Sequence, residues 1–140
     1  MTWELLQLVH RYAACVDDRL PVAPLFTPDA VLVLPDPPNG LDPVREHVGR
    51  SAIARAMEEL AEIPRTFHEV VGSVFTVDGD TASGRVTCVA HHVLDVGTDL
   101  VWHLRYLDEY HHTRDGWLIA RRAAHLDMIE SRQLKRARLS

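Results

Sequence analysis

Between Thr66 and Tyr110 the chain carries three β-rich runs in succession, parted only by turns, and this limits it to folds built on a long antiparallel sheet. Thr66–Val77 (TFHEVVGSVFTV) ends at the turn Asp78-Gly79-Asp80. Thr81–Val96 (TASGRVTCVAHHVLDV) ends at Gly97. Leu100–Tyr110 (LVWHLRYLDEY) runs on to a turn near Asp115-Gly116, and a last strand is expected over Trp117–Met128. Side chains alternate between the two faces of a strand, so each run can be sorted into rows. In the middle run Val86, Cys88, Ala90, His92 and Leu94 share one face; the row is apolar except for His92 and should face an interior. The same parity puts His68 in a row with Val70, Gly72 and Val74, and Trp102 with Leu104, Tyr106, Asp108 and Tyr110. Histidine, tyrosine and carboxylate on the inner face of a sheet suggest a lined pocket.

The first half of the chain reads differently. Leu5, Leu8, Val9, Tyr12, Ala13 and Val16 recur at three- and four-residue spacing, which predicts a helix over Trp3–Asp17 with Thr2 as its N-cap. Asp17 then sits at the helix C-terminus, where the helix dipole disfavours an anion; it is either an ion-paired cap or a pocket acid or base. A short second helix is expected over Pro21–Phe26, closed by Thr27-Pro28-Asp29, and a buried strand over Ala30–Leu34. Pro35–Pro43 (PDPPNGLDP) reads as a loop. A third helix is expected over Gly49–Ile63, with Ser51 as N-cap and Pro64 as its stop. Helices followed by a run of strands indicate an α+β fold. The organisation is one domain over residues 1–130, followed by a basic C-terminal tail over 131–140 (Arg132 to Arg138, RQLKRAR).

Composition removes several function classes. A formal net charge of −5 argues against phosphate-backbone recognition, so no nucleic-acid partner is expected. Lys135, in the tail, is the only lysine, which excludes Schiff-base chemistry inside the fold. Cys15 and Cys88 are too few and too far apart for a zinc site or disulfide framework. Although there are nine histidines, none shows metal-ligand spacing, so neither metal nor cofactor is expected. No stretch is apolar enough to span a membrane and no signal peptide is apparent, so a cytoplasmic location is expected.

Several segments together resemble a known superfamily. They are Arg11-Tyr12-Ala13-Ala14 with Asp17, Leu25-Phe26-Thr27-Pro28-Asp29-Ala30, Gly49-Arg50-Ser51-Ala52-Ile53, Thr66-Phe67-His68, Val77-Asp78-Gly79-Asp80-Thr81-Ala82, and Tyr106-Leu107-Asp108-Glu109-Tyr110 leading to Asp115-Gly116-Trp117. From about Leu5 to Asp127 the chain resembles the nuclear-transport-factor-2-like (NTF2-like) fold and, within it, the SnoaL-like proteins. The resemblance implies a cone: a strongly curved antiparallel sheet wrapped around about three helices and enclosing a pocket. The superfamily holds dehydratases, isomerases, cyclases, epoxide hydrolases and non-catalytic proteins, so function rests on the site. The nearest chemical match is scytalone dehydratase, whose aspartate after the first helix and two strand histidines fall by position on Asp17, His68 and His92; its tyrosine beside the aspartate is Val16 here. Ketosteroid isomerase is the second comparison. Its helix tyrosine falls on Tyr12 and its oxyanion-hole acid near Tyr106, but its base falls beside Leu34, with Asp36 shifted into the proline-rich loop. The arginine an epoxide hydrolase would need is met only by Arg105, on the wrong face.

The candidate catalytic residues are therefore Asp17, His68 and His92, with Tyr12, Trp102, Tyr106 and Asp108 as substrate contacts. An imidazole oriented by a carboxylate can move protons near neutral pH. The expected activity is that of a small cofactor-free lyase or isomerase, of dehydratase or cyclase type, on a hydrophobic, carbonyl-bearing ring compound, polyketide- or steroid-like. The alternatives are a non-catalytic binding module or an assembly subunit of the same fold. For Asp108 a structural role is also open, with Arg121 or a tyrosine hydroxyl as partner. His91, His111 and His112 should face solvent. An outer sheet face carrying Val89, Val93, Val101 and His103 leads to the expectation of a homodimer packed sheet on sheet.

Overall fold

A computed structural model of the chain describes residues 2–37, 39–95 and 97–139. Helix α1 (Thr2–Asp17) is followed by a single 3-10 turn (Ala23–Leu25), strand β1 (Phe26–Pro35), strand β2 (Pro43–Val48), helix α2 (Arg50–Leu60) and four long strands, β3 (Arg65–Asp78), β4 (Thr81–Val93), β5 (Thr98–Thr113) and β6 (Gly116–Gln133). The sheet has the order β2-β1-β6-β5-β4-β3. Its neighbours pair antiparallel except β1 and β6, which are parallel, so the sheet is mixed rather than wholly antiparallel. The expected α+β cone holds, with the sheet curved at bulges in β3 and along the β5–β6 pair.

Four expectations are corrected. The second helix shrinks to one turn closed by Leu25 N–H donating to the Val22 carbonyl at 2.9 Å; Pro24 has no N–H to continue it. β2 occupies residues that carry no strand alternation, because it is an edge strand whose side chains are mostly exposed. The cap of α2 is Gly49, at φ 86°, not Ser51. The chain needs a left-handed residue to turn out of β2, and glycine adopts it without strain. Finally, β6 runs on to Gln133, so Ser131, Arg132 and Gln133, read as tail, pair with Leu100, Asp99 and Thr98. Val96, read as the end of the second strand, lies outside the described residues, as do Pro38 in the proline-rich loop and Ser140 in the tail.

The interior is where the two periodicities meet. The apolar stripe of α1 (Leu5, Leu8, Val9, Tyr12, Val16) packs against inward rows of the sheet: Val86, Cys88 and Ala90 from β4, Leu104 and Tyr106 from β5, Ala124 and Leu126 from β6. Fully burying each large side chain contributes roughly 1.5–3 kcal/mol. α2 adds Ile53 and lies over the β1–β2 side of the cone. In β4 and β5 the rows fall as alternation requires as far as His92; Leu94, beyond the strand end, is exposed. In β3 they do not. A bulge between Val70 and Gly72 inserts one residue and reverses the parity, so Ser73, Phe75 and Val77 turn inward while Gly72 and Val74 are exposed.

The outer face is less apolar than its valines suggest. Val93 and Val101 are already buried within the chain. The cross-strand partners of Val101, His91 and Glu130, and its row neighbours Asp99 and His103, are ion-paired side chains that flank it. His91, expected in solvent, is half-buried: its Nδ1 lies 2.6 Å from Asp99 and its Nε2 2.8 Å from Glu69. Carboxylates only accept, so both ring nitrogens must donate and His91 is an imidazolium. Burial opposes that charge, but the two hydrogen-bonded carboxylates outweigh it and raise its pKa. The exposed apolar side chains of this face are instead Phe67, Val71, Val74, Leu107 and Met128.

Candidate active site

Asp17 is delivered by the way α1 ends. Leu20 N–H donates to the Cys15 carbonyl at 2.8 Å and Arg19 N–H to the Val16 carbonyl at 3.3 Å, with Arg19 at φ 61°. This closure normally uses glycine at the left-handed position. The Arg19 side chain reaches the carbonyls of Leu60 and Ile63 at the end of α2, and so ties the two helices together. With the helix stopped there, Asp17 faces the start of β3.

Three donors from β3 converge on its carboxylate. His68 Nδ1 lies 2.7 Å from Oδ1, the His68 backbone N–H donates to Oδ2 at 2.8 Å, and the Thr66 hydroxyl donates to Oδ1 at 3.0 Å. Burial works against the charge on Asp17. The hydrogen bonds from the ring and backbone of His68 and from Thr66, with the nearby imidazole charge, outweigh it and hold the carboxyl below its ordinary value. An ionised Asp17 accepts, so His68 Nδ1 carries a proton, and Nε2 has no hydrogen-bond partner among the described residues.

His92, on β4, is 2% exposed. Its Nδ1 lies 2.9 Å from the Leu100 carbonyl, which can only accept, so here too the proton is on Nδ1. Burial pushes its pKa down to about 4, with His68 and His91 adding to the effect and Leu100 and Asp99 opposing it. At neutral pH this imidazole is uncharged and its Nε2 is an acceptor. The two rings meet edge to face with centroids 6.3 Å apart, and Trp102 packs on His92 at 4.6 Å.

His68, His92, Trp102, Tyr106 and Tyr12 line one cavity of about 310 Å³ with Ala90, Leu104 and Ala124. Met57, Leu60 and Ile63 from the end of α2 and Leu34–Pro37 from β1 and its loop form its opposite wall; Arg45, Glu59 and Asp36 are also in its lining. Asp17 is not in the wall: it reaches the cavity through His68. The Trp102 indole N–H is buried and has no partner within the described residues. Among those residues no group of three or more His, Cys, Asp or Glu side chains gathers as metal ligands.

Asp108 points inward but away from this cavity. Its partner is Arg122, not Arg121: Arg122 Nε donates to Oδ1 at 2.9 Å and a terminal nitrogen to Oδ2 at 2.7 Å, while the Tyr110 hydroxyl donates to Oδ2 at 2.5 Å. Arg122 is 1% exposed. Its guanidinium lies over the rings of Tyr106 at 4.0 Å and Tyr12 at 4.4 Å. A buried cation is thus neutralised by a buried carboxylate and stacked beneath both pocket tyrosines. Two residues of this arrangement, Arg122 and Thr66, were not foreseen. Arg122 shares its row with Ala124 and Leu126, so alternation along β6 carried the signal; Thr66 carried a weaker one, two residues before His68 on the same face.

Comparison with known proteins follows the same outline. The sequence profile described as a SnoaL-like domain matches residues 2–123. The chain belongs to the SnoaL-like family. No curated protein matches it. Among solved structures this SnoaL-like chain is similar to a provisionally named scytalone dehydratase from Novosphingobium aromaticivorans, at 19% identity and TM-score 0.81, covering 97% of this chain and 90% of that one. It is similar to an NTF2-like protein with a cystatin-like fold from the same organism, at 23% identity and TM-score 0.72, covering 90% and 81%. ActVI-ORFA from Streptomyces coelicolor matches at 18% identity and TM-score 0.74, covering 90% of this chain and 96% of that one. At such identities these likenesses establish the NTF2-like fold of the SnoaL-like domain and nothing finer.

Proposed function

We propose that this SnoaL-like protein is a cofactor-free lyase or isomerase, of dehydratase or cyclase type, acting on a hydrophobic, carbonyl-bearing ring compound of polyketide- or steroid-like shape. The observation that carries the reading is the Asp17–His68 pair, 2.7 Å apart, with the free Nε2 of His68 on a cavity shared with a neutral His92. His68 Nε2 takes a proton from the carbon next to the carbonyl, and Asp17 stabilises the imidazolium that forms. The negative charge moves to the carbonyl oxygen, where the Tyr106 hydroxyl is the donor on the cavity wall. His92 cannot begin as an acid at neutral pH; it accepts a hydrogen bond from a substrate hydroxyl. Expulsion of a hydroxyl, protonated by His68, gives dehydration; return of the proton to another carbon gives isomerisation. Tyr12 shapes the floor of the cavity, and Asp108 acts at one remove, by holding Arg122 under the two tyrosines.

The cavity wall supports an apolar ligand: Leu34, Met57, Leu60, Ile63 and Leu104 surround the few polar groups. We place the protein in the cytoplasm, on its two free cysteines, and as a homodimer through the outer sheet face, on the exposed Phe67, Val71, Val74, Leu107 and Met128. The deciding experiment incubates the wild-type chain and His68→Gln with a panel of hydroxylated ring ketones and follows loss of water or migration of the double bond by mass spectrometry and NMR. Turnover by the wild type and its loss in His68→Gln support the reading. Ligands that bind without turning over would make the chain a binding module instead.

A further inference from the structure

We propose that Thr66 is a positioning residue for the Asp17–His68 pair: its buried hydroxyl locks the carboxylate in the orientation that keeps the proton on His68 Nδ1 and leaves Nε2 facing the cavity. Thr66 is 1% exposed, so water cannot replace the bond it makes. Its one proton is spent on Asp17 Oδ1, the same oxygen that faces His68 Nδ1. In the β3–β4 ladder Thr66 stands directly opposite His92 and two residues before His68. It thus neighbours both imidazole-bearing residues in the ladder, and its hydroxyl donates to Asp17.

A carboxylate can turn about its Cβ–Cγ bond, and His68 alone would follow that turn with its mobile ring. Two of the three donors cannot follow. The His68 backbone N–H is fixed by strand β3, and the Thr66 hydroxyl is fixed by a β-branched side chain with few rotamers. Together they pin one oxygen each. The ring of His68 must then meet Oδ1 from the remaining direction, which sets both its angle and its tautomer.

The catalytic consequence rests on the function proposed above; the structural one does not, and the experiment separates them. In the full chain, Thr66→Val removes the hydroxyl and keeps the branched shape, and Thr66→Ser keeps the hydroxyl. The Asp17 carboxyl and the His68 ring nitrogens are titrated by NMR in each. In Thr66→Val the Asp17 pKa should rise, because a donor to its charged form is gone, and the fraction of His68 protonated on Nδ1 should fall. Thr66→Ser should restore both, and with a substrate in hand Thr66→Val should lose about tenfold in kcat, the equivalent of one hydrogen bond. If Thr66→Val does not fold, Thr66→Ala is the variant titrated. Titrations unchanged by loss of the hydroxyl, or disturbed equally in Thr66→Ser, would overturn the proposal. Titrations that move as expected, in a protein that turns over nothing, leave Thr66 in this role and remove the proposed reaction.

Discussion

His68 holds Asp17 at two points, with ring Nδ1 2.7 Å from Oδ1 and backbone N–H 2.8 Å from Oδ2. One residue of β3 thereby fixes the end of α1 and is itself oriented by it. Replacing Asp17 with Asn keeps the size of the side chain but removes the charge that stabilises imidazolium. Turnover should fall ~10²–10⁴-fold. Because Asp17 and His68 act as one unit, Asp17→Asn with His68→Gln should be little worse than the worse single variant. Steady-state rates of the three variants check this; multiplicative losses would mean the two residues act separately.

His92 makes stability depend on acidity. Its folded pKa is about 4 against 6.5 when unfolded, so between those values the unfolded chain binds the extra proton and stability falls as the pH falls. A difference of this size is worth about 3 kcal/mol once the pH is below both values. Urea denaturation at pH 7 and pH 4.5 should show the loss in the wild type and a smaller one in His92→Gln. Equal losses in both would assign the acid sensitivity to other groups. His91 contributes with the opposite sign: its raised pKa adds stability below about 6.5 that is lost as the pH climbs through its folded value.

The Asp108–Arg122 pair is buried on both sides. Arg122→Met leaves an uncompensated carboxylate in the interior and should destabilise by ~3–5 kcal/mol. Arg122→Met combined with Asp108→Leu should recover most of that, since an apolar pair replaces an ionic one. The double variant should nevertheless lose catalytic rate if the guanidinium positions Tyr106. Denaturation midpoints and rates measured together separate the two effects.

The exposed apolar side chains of the outer face give the proposed dimer a location. Val74→Glu and Met128→Glu put charges into it without touching the cavity. Light scattering at micromolar concentration should show a dimer for the wild type and a monomer for the double variant. A wild-type monomer would sink the assembly.

What the amino-acid order determined by itself is whatever depends on local period. The stripe of α1 and the alternation in β4 and β5 placed Tyr12, His92, Trp102, Tyr106 and Asp108 inside, because a helix or an unbroken strand repeats its geometry residue by residue. Edge strand β2 had no such signal, since most of its side chains meet water. Everything decided by register came from the tertiary structure. The bulge at Val70–Gly72 reversed the second half of β3, and the pairing of β5 with β6 gave Asp108 to Arg122 rather than to Arg121. The site itself is the longest-range case. Asp17 meets Thr66 and His68 across 49 and 51 residues of chain, a contact made only when the end of α1 packs on β3, and no local pattern encodes where two elements will touch.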